Sequence, residues 1–267
     1  MLETLDRARW AGLSGSGRGD VCSPGRPFVF LHGLTFDHRM WEPVVAALPA
    51  DRCALALDLP GHGQSALLAQ TGLAPVVDAV HEAVLEAGLD RPVVVGHSIG
   101  GPLAAMYASE HPAAAVVSID APIRLEPFAT MLRTVGPQLA GNGFEAAWAG
   151  FRRSFQLERV PSRYRELLQA GADASQEVVL AYQADLLERP LADVVRRRDD
   201  GLRKLRVART PYVSLHANPP DPADERWLVE RLPQAEVAVW PVGHHFPQLA
   251  HPARLATLLV GLAEAAR

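Results

Sequence analysis

From residue 27 onward, short unbroken apolar runs take turns with amphipathic stretches. Pro27–Leu31 (PFVFL), Cys53–Leu57 (CALAL), Val93–Val95 and Ala114–Ile119 (AAVVSI) are apolar at successive positions rather than every second one. That pattern marks strands covered on both faces, as in a parallel sheet. Between the runs the period becomes helical: Met40, Trp41, Val44, Val45 and Leu48 share a face, 75–88 is amphipathic, and PLAAMYASEH is a small-residue helix. Strand and helix in this alternation predict an α/β fold, a mostly parallel twisted sheet with helices on both faces. The strand pattern stops at Ile123 and resumes only at Pro211–His216 (PYVSLH), with GNG, VPS and ERP breaks dividing the interval into helices. The reading is therefore a core built from 1–122 and 210–267, with a helical cap inserted at 123–209. A helix over Asp224–Leu232, a last strand at Glu236–Trp240 (EVAVW) and a terminal helix at 252–266 complete it, while LSGSGRGD and CSPGRP near the start are loop or hairpin chemistry.

The stretch Val93–Gly101, VVVGHSIGG, adds chemistry to this outline. A strand runs into Gly-x-Ser-x-Gly and a helix follows, the nucleophile-elbow arrangement with Ser98 at the apex. A serine in a strained turn needs neighbours without bulk, and Gly96 and Gly100 meet that need. The helix that starts just after Ser98 directs its N–H groups and dipole to where an oxyanion would form. A serine alcohol also needs a base to take its proton. Of the ten histidines, His97 lies inside the elbow and is turned elsewhere by alternation, and His32 and His62 close strands in turns where bonding to neighbouring backbone is the usual role. His38, His81 and His111 sit in helical or surface context, and the candidates kept for the base are His244 and His245, after the last strand.

Taken together, HGLT, DLPGHGQS, GHSIGG and GHHFPQLAHP occur in this order around a helical insertion, and in this the chain resembles the α/β-hydrolase superfamily over most of its length. The resemblance implies that the base is the histidine before Phe-Pro and seven residues ahead of a proline, which is His245, with His244 standing where a glycine is common. It further implies an oxyanion hole made by the backbone N–H groups of Leu34 and Ile99. The family places the acid either after the PYVSLH strand or after the strand that follows the elbow helix. The first loop, HANPPDPADERW, departs from the usual Gly-x-x-Asp, with Ala217 and Pro220 at those places; it offers Asp221, while Asp224 reads as an N-cap. The second place holds Asp120, and Asp120 is the preferred acid, with Asp221 the alternative. Serine at the apex separates the chain from dehalogenase and epoxide-hydrolase relatives, and GLTFDHRMW is similar to the corresponding run of enol-lactone hydrolases.

Composition narrows the reading further. A net charge of −4 leaves no basic footprint for nucleic acid. No apolar run is long enough to span a membrane, 1–25 does not read as a secretory signal, and the two cysteines, Cys22 and Cys53, form no motif, so a soluble cytoplasmic protein is expected. His244, His245 and His251 lack metal-ligand spacing and GSGRG at 15–19 is no phosphate loop, so neither metal nor cofactor is expected. RRRDDGLRKLR at 196–206 reads as a solvated helix face. Phe128, Phe144, Trp148, Phe151, Phe155, Tyr164 and Tyr182 read either as core of the cap or as lining of an apolar pocket. The expected function is a serine hydrolase cleaving a small, fairly apolar carboxylic ester or lactone through an acyl-enzyme. The alternatives are carbon–carbon hydrolysis or perhydrolysis at the same site, and a non-catalytic ligand-binding or signalling member of the fold.

Overall fold

The computed structural model describes residues 6–19, 25–172 and 175–265. Cys22 lies outside them, and Cys53 is half-buried. In chain order the elements are β1 (Asp6–Trp10), β2 (Leu13–Arg18), β3 (Phe28–Leu31), α1 (Glu42–Ala47), β4 (Ala54–Leu57), α2 (Leu73–Glu86), β5 (Val93–His97), α3 (Gly100–Glu110) and β6 (Ala115–Ile119). A helical stretch follows, α4 (Leu125–Ala140), α5 (Phe144–Ser154), α6 (Ser162–Arg165), α7 (Gln176–Glu188) and α8 (Leu191–Ala208). The sheet then resumes with β7 (Tyr212–His216), α9 (Pro222–Arg231), β8 (Ala235–Val239), α10 (Pro247–Ala250) and α11 (Pro252–Ala265). No helix among the described residues is long and apolar enough to cross a membrane.

The strands form one eight-stranded sheet in the order β1-β2-β4-β3-β5-β6-β7-β8. β1, β2 and β4 pair antiparallel, so the poorly patterned start is a hairpin on the sheet edge, and the remaining pairings are parallel. The unbroken apolar runs are explained by two cores. Val29, Leu31, Val94 and Val116 pack on one face with Val77 and Val80 of α2 and Leu103 of α3. Phe28, Phe30, Val95 and Val117 pack on the other with Val44 of α1 and Leu255 and Leu259 of α11. Every residue of β3, β4, β5 and β6 is therefore buried, whichever way it points.

One predicted helix start moves. The helix expected from Asp224 begins at Pro222, and its N-cap is Asp221, whose carboxylate accepts from Ala223 N at 2.7 Å. Asp224 instead pairs with Arg124. The Pro at the first helical position favours the earlier start, because a missing N–H costs nothing there. His38, expected in helical or surface context, opens a short 3-10 turn (His38–Trp41) and is buried there: its Nδ1 lies 2.6 Å from Asp58 Oδ1. Asp58 also accepts from Ser14 Oγ at 2.6 Å, so this carboxylate ties the edge hairpin to the turn before α1. Burial would raise Asp58, but the bonds from His38 and Ser14 prevail and hold it well below the usual carboxylate range.

Candidate active site

The chain runs from β3 out to β4 and returns to β5 on the other side of β3, which makes a switch point at the carboxyl ends of β3 and β5. Crevices at such points are where ligands bind in open α/β sheets. Ser98 follows β5 there with φ +53°, a left-handed conformation unusual for a residue with a side chain. Its N–H donates to Ile119 O at 2.8 Å, so the neighbouring strand holds the turn. A Cβ at Gly96 would overlap the Gly100 carbonyl oxygen, and one at Gly100 would overlap Leu31 O. The glycines flanking the serine are thus required by the close approach of α3 to β5 and β3.

Asp120 occupies the equivalent place after β6, also left-handed with φ +49°. Its Oδ1 accepts from Ala217 N at 2.8 Å, and its Oδ2 accepts from His245 Nδ1–H at 2.6 Å. Burial pushes this carboxyl up, but the His245 and Ala217 bonds prevail and keep it below the ordinary carboxylate value. An ionised Asp120 fixes the tautomer of His245, leaving the lone pair on Nε2. Asp120 and His245 are largely covered, at 18% and 16% side-chain exposure, and both line a cavity that Ser98 also lines. Among the described residues Ser98 Oγ has no hydrogen-bond partner; such bonds are often long in unliganded sites and tighten with substrate. Leu34 and Ile99 line the same cavity, and among the described residues neither backbone N–H finds an acceptor. His244 turns back on its own loop, accepting from Phe246 N at 3.1 Å, and Asp221 is spent on capping α9.

His97 does more than alternation suggested. Its Nε2–H donates to the His245 carbonyl at 2.7 Å, and its ring lies 4.6 Å from the His245 ring. Phe155, at the end of α5, stacks on the other imidazole at 5.1 Å, and its carbonyl accepts from His245 N at 3.1 Å. His245 is thereby held through ring, amide and carbonyl, partly by the helical insert. The loop after β3 is fixed by the histidines expected to bond backbone. His32 accepts from Leu59 N at 2.9 Å, and His62 accepts from Thr35 N at 2.9 Å, next to Leu34.

Burial lowers His62 and His97 to about 3, so both are neutral in the folded chain. An unfolded chain protonates them near pH 6.5. A depressed histidine contributes stability that is complete above the unfolded value and is lost as pH falls toward the folded one. These two groups alone predict that stability drops by about 2–3 kcal/mol per pH unit from near pH 6 to near pH 4. Asp58 and Asp120, both lowered, add their loss only below about pH 4. Urea unfolding across pH 4–7 measures this; a flat profile would contradict the neutral, buried assignment.

The cavity measures about 500 Å³, within the size of a small-molecule site. Of the aromatic residues expected in the cap, Phe128, Trp148, Phe151, Phe155 and Tyr182 line it, whereas Phe144 stacks behind Trp148. Wall and core are one layer here, so both expectations apply to the same rings. The run read as a solvated face departs from it on one side: Arg197, Arg198, Gly201, Leu202 and Leu205 line the cavity, and Arg198 Nη1 is enclosed, because Arg198 lies on the inward face of α8 with buried Leu202 and Leu205.

The chain is similar to known proteins. A profile described as the alpha/beta hydrolase family matches residues 28–258. The 2-succinyl-6-hydroxy-2,4-cyclohexadiene-1-carboxylate synthase of Enterobacter sp. (strain 638) is 40% identical over 99 residues, 37% of this chain and 38% of that enzyme's length. Among solved structures, a thermophilic esterase from Thermogutta terrifontis superposes with a TM-score of 0.76 at 19% identity, covering 98% of this chain and 99% of its own. The enol-lactonase from Burkholderia xenovorans LB400 superposes at 0.72 with 17% identity, over 96% of this chain and 99% of its own.

Proposed function

The chain belongs to the alpha/beta hydrolase family, and from that premise we propose that it is a serine hydrolase of small carboxylic esters or lactones. The observation that carries this reading is the 2.6 Å bond between Asp120 and His245 on the wall of a cavity shared with the elbow serine. In this mechanism Ser98 attacks the substrate carbonyl carbon while His245 Nε2 takes the hydroxyl proton. The carbonyl oxygen becomes an oxyanion and accepts from the N–H groups of Leu34 and Ile99, each such donor contributing about 3–4 kcal/mol to the transition state. His245, its positive charge balanced by Asp120, then protonates the leaving alkoxide, and the acyl-enzyme forms. Water, deprotonated by His245, attacks the acyl carbon and releases Ser98. The apolar wall of Leu132, Trp148, Phe151 and Phe155 supports a largely apolar substrate body.

The test is intact mass after brief exposure to a fluorophosphonate. Rapid addition of a single adduct to the wild-type chain, lost in His245→Ala, is the expected result, because only an activated serine reacts at that rate. A chain that stays unlabelled would overturn the hydrolase reading in favour of ligand binding without turnover. The match to a synthase favours a second reading, in which the same serine, histidine and N–H donors act on a carbon–carbon bond. Product analysis separates the two: a carboxylic acid with an alcohol belongs to the first, a carbon-bound leaving group to the second.

A further inference from the structure

We propose that the substrate carries a carboxylate remote from its scissile carbonyl and that Arg198 receives it. This deepens the ester-hydrolase reading, on which it rests, from an apolar ester or lactone to one with an anionic end. Arg198 lies on α8 and lines the cavity that Ser98 and His245 line. Its guanidinium is poorly satisfied: among the described residues Nη2 reaches only Pro122 O at 3.3 Å, and the enclosed Nη1 has no hydrogen-bond partner. Among the described residues no carboxylate pairs with it. The nearby acids are engaged elsewhere, Asp199 with Arg231 at 3.3 Å and Asp224 with Arg124, and Glu126 acts on it only from beyond ion-pair range. Asp185, which also lines the cavity, is held by Arg189 at 2.6 Å and by Leu73 N at 3.2 Å.

Burial pulls the Arg198 guanidinium below its ordinary value. Guanidinium does not give up its proton in proteins, so the group stays charged and the cost of enclosing it without a counter-ion falls on the fold. A ligand carboxylate would offset that cost, and the planar fork of arginine suits it. The surroundings are fitted for the same guest. The Tyr212 hydroxyl, buried near Arg198 and Ser118, adds polar capacity, and Tyr212 and Ser118 both line the cavity. Trp227, with its ring centroid 5.2 Å from Cζ, holds the guanidinium through cation–π attraction without neutralising it. The candidate substrates are half-esters of dicarboxylic acids and lactones bearing a carboxylate.

Two measurements decide this. The first compares kcat/KM for mono-p-nitrophenyl glutarate, which is anionic, with that for p-nitrophenyl pentanoate, its neutral counterpart of equal chain length. The wild-type chain is expected to favour the glutarate. Arg198→Gln and Arg198→Met are expected to lower the glutarate-to-pentanoate ratio by about 10- to 100-fold, the worth of one charge-assisted contact, and Arg198→Lys to recover part of it. The second is calorimetric titration of free glutarate into Ser98→Ala, with and without Arg198→Gln; binding is expected only where Arg198 remains. No wild-type preference for the glutarate, or a ratio unmoved in all three variants, overturns the proposal. Should neither ester turn over and no fluorophosphonate adduct form, the hydrolase reading fails by itself, and the calorimetry still decides whether Arg198 holds a carboxylate.

Discussion

Ser98→Ala is expected to lower kcat/KM by about 10⁶-fold, the largest effect of any single change in this chain, and to abolish fluorophosphonate labelling. Of the serines that line the cavity, Ser98 alone has the left-handed backbone of an elbow apex. Ser98 stands at the apex of the turn, supported from below by Ile119 O, and the close approach of α3 to β3 and β5 leaves no room for a side chain at Gly96 or Gly100 beside it. The residual rate, about 10³-fold over water, is what binding and the Leu34 and Ile99 N–H groups supply without a covalent step. Folding is expected to survive, since the Ser98 hydroxyl makes no hydrogen bond among the described residues whose loss would be felt. The backbone makes a sharper control. At φ +53° an alanine keeps the strain of the serine, whereas Ser98→Gly relieves it, so Ser98→Gly is expected to be more stable than Ser98→Ala by about 1 kcal/mol while equally inactive. Thermal unfolding and ester turnover on the same samples test both halves. Retention of more than a few per cent of turnover in Ser98→Ala would end the assignment of Ser98 as nucleophile.

What the sequence reveals, and what it conceals, follows from how local each feature is. The parallel sheet was legible because strands covered on both faces must be apolar at every position, as in VVV and AAVVSI. The elbow was legible because the steric demand of the turn falls on Gly96 and Gly100, both within two residues of Ser98. The partner of His245 was legible only as a preference for Asp120 over Asp221, because each follows a strand that ends on the same side of the sheet, and only the reach of Asp120 Oδ2 to Nδ1 distinguishes them. His97 keeps the alternation of β5, on the Val95 side with Phe36 and Phe246, and what the string could not show is that the His245 loop, distant in sequence, reaches it there. Arg198 was hidden by composition. RRRDDGLRKLR looks solvated as a string, yet positions 198, 202 and 205 fall on one helical face, and Leu202 and Leu205 are buried. Spacing would have found it where charge counting did not.

Asp120→Asn is expected to lower kcat by about 10³- to 10⁴-fold with little change in KM, while Asp221→Asn leaves turnover within about twofold. The first substitution is nearly isosteric, and asparagine tolerates the φ of +49° at this position. Its amide oxygen can still accept from Ala217 N, which directs the NH2 group toward His245. An NH2 donates where the carboxylate accepted, so His245 must present the lone pair of Nδ1 and carry its proton on Nε2, the nitrogen that should receive the Ser98 proton. The base is then present but in the wrong tautomer, and the imidazolium formed during attack loses its counter-charge. Substrate binding does not pass through this bond, so the loss falls on kcat. Asp221 provides the contrast because its carboxylate caps α9 through Ala223 N, a task asparagine performs about as well. Fluorophosphonate labelling rates separate the two acids without any choice of substrate. Slow labelling of Asp120→Asn beside normal labelling of Asp221→Asn identifies Asp120 as the acid, and the reverse order would mean that the loop after β7 rearranges during turnover to bring Asp221 to His245.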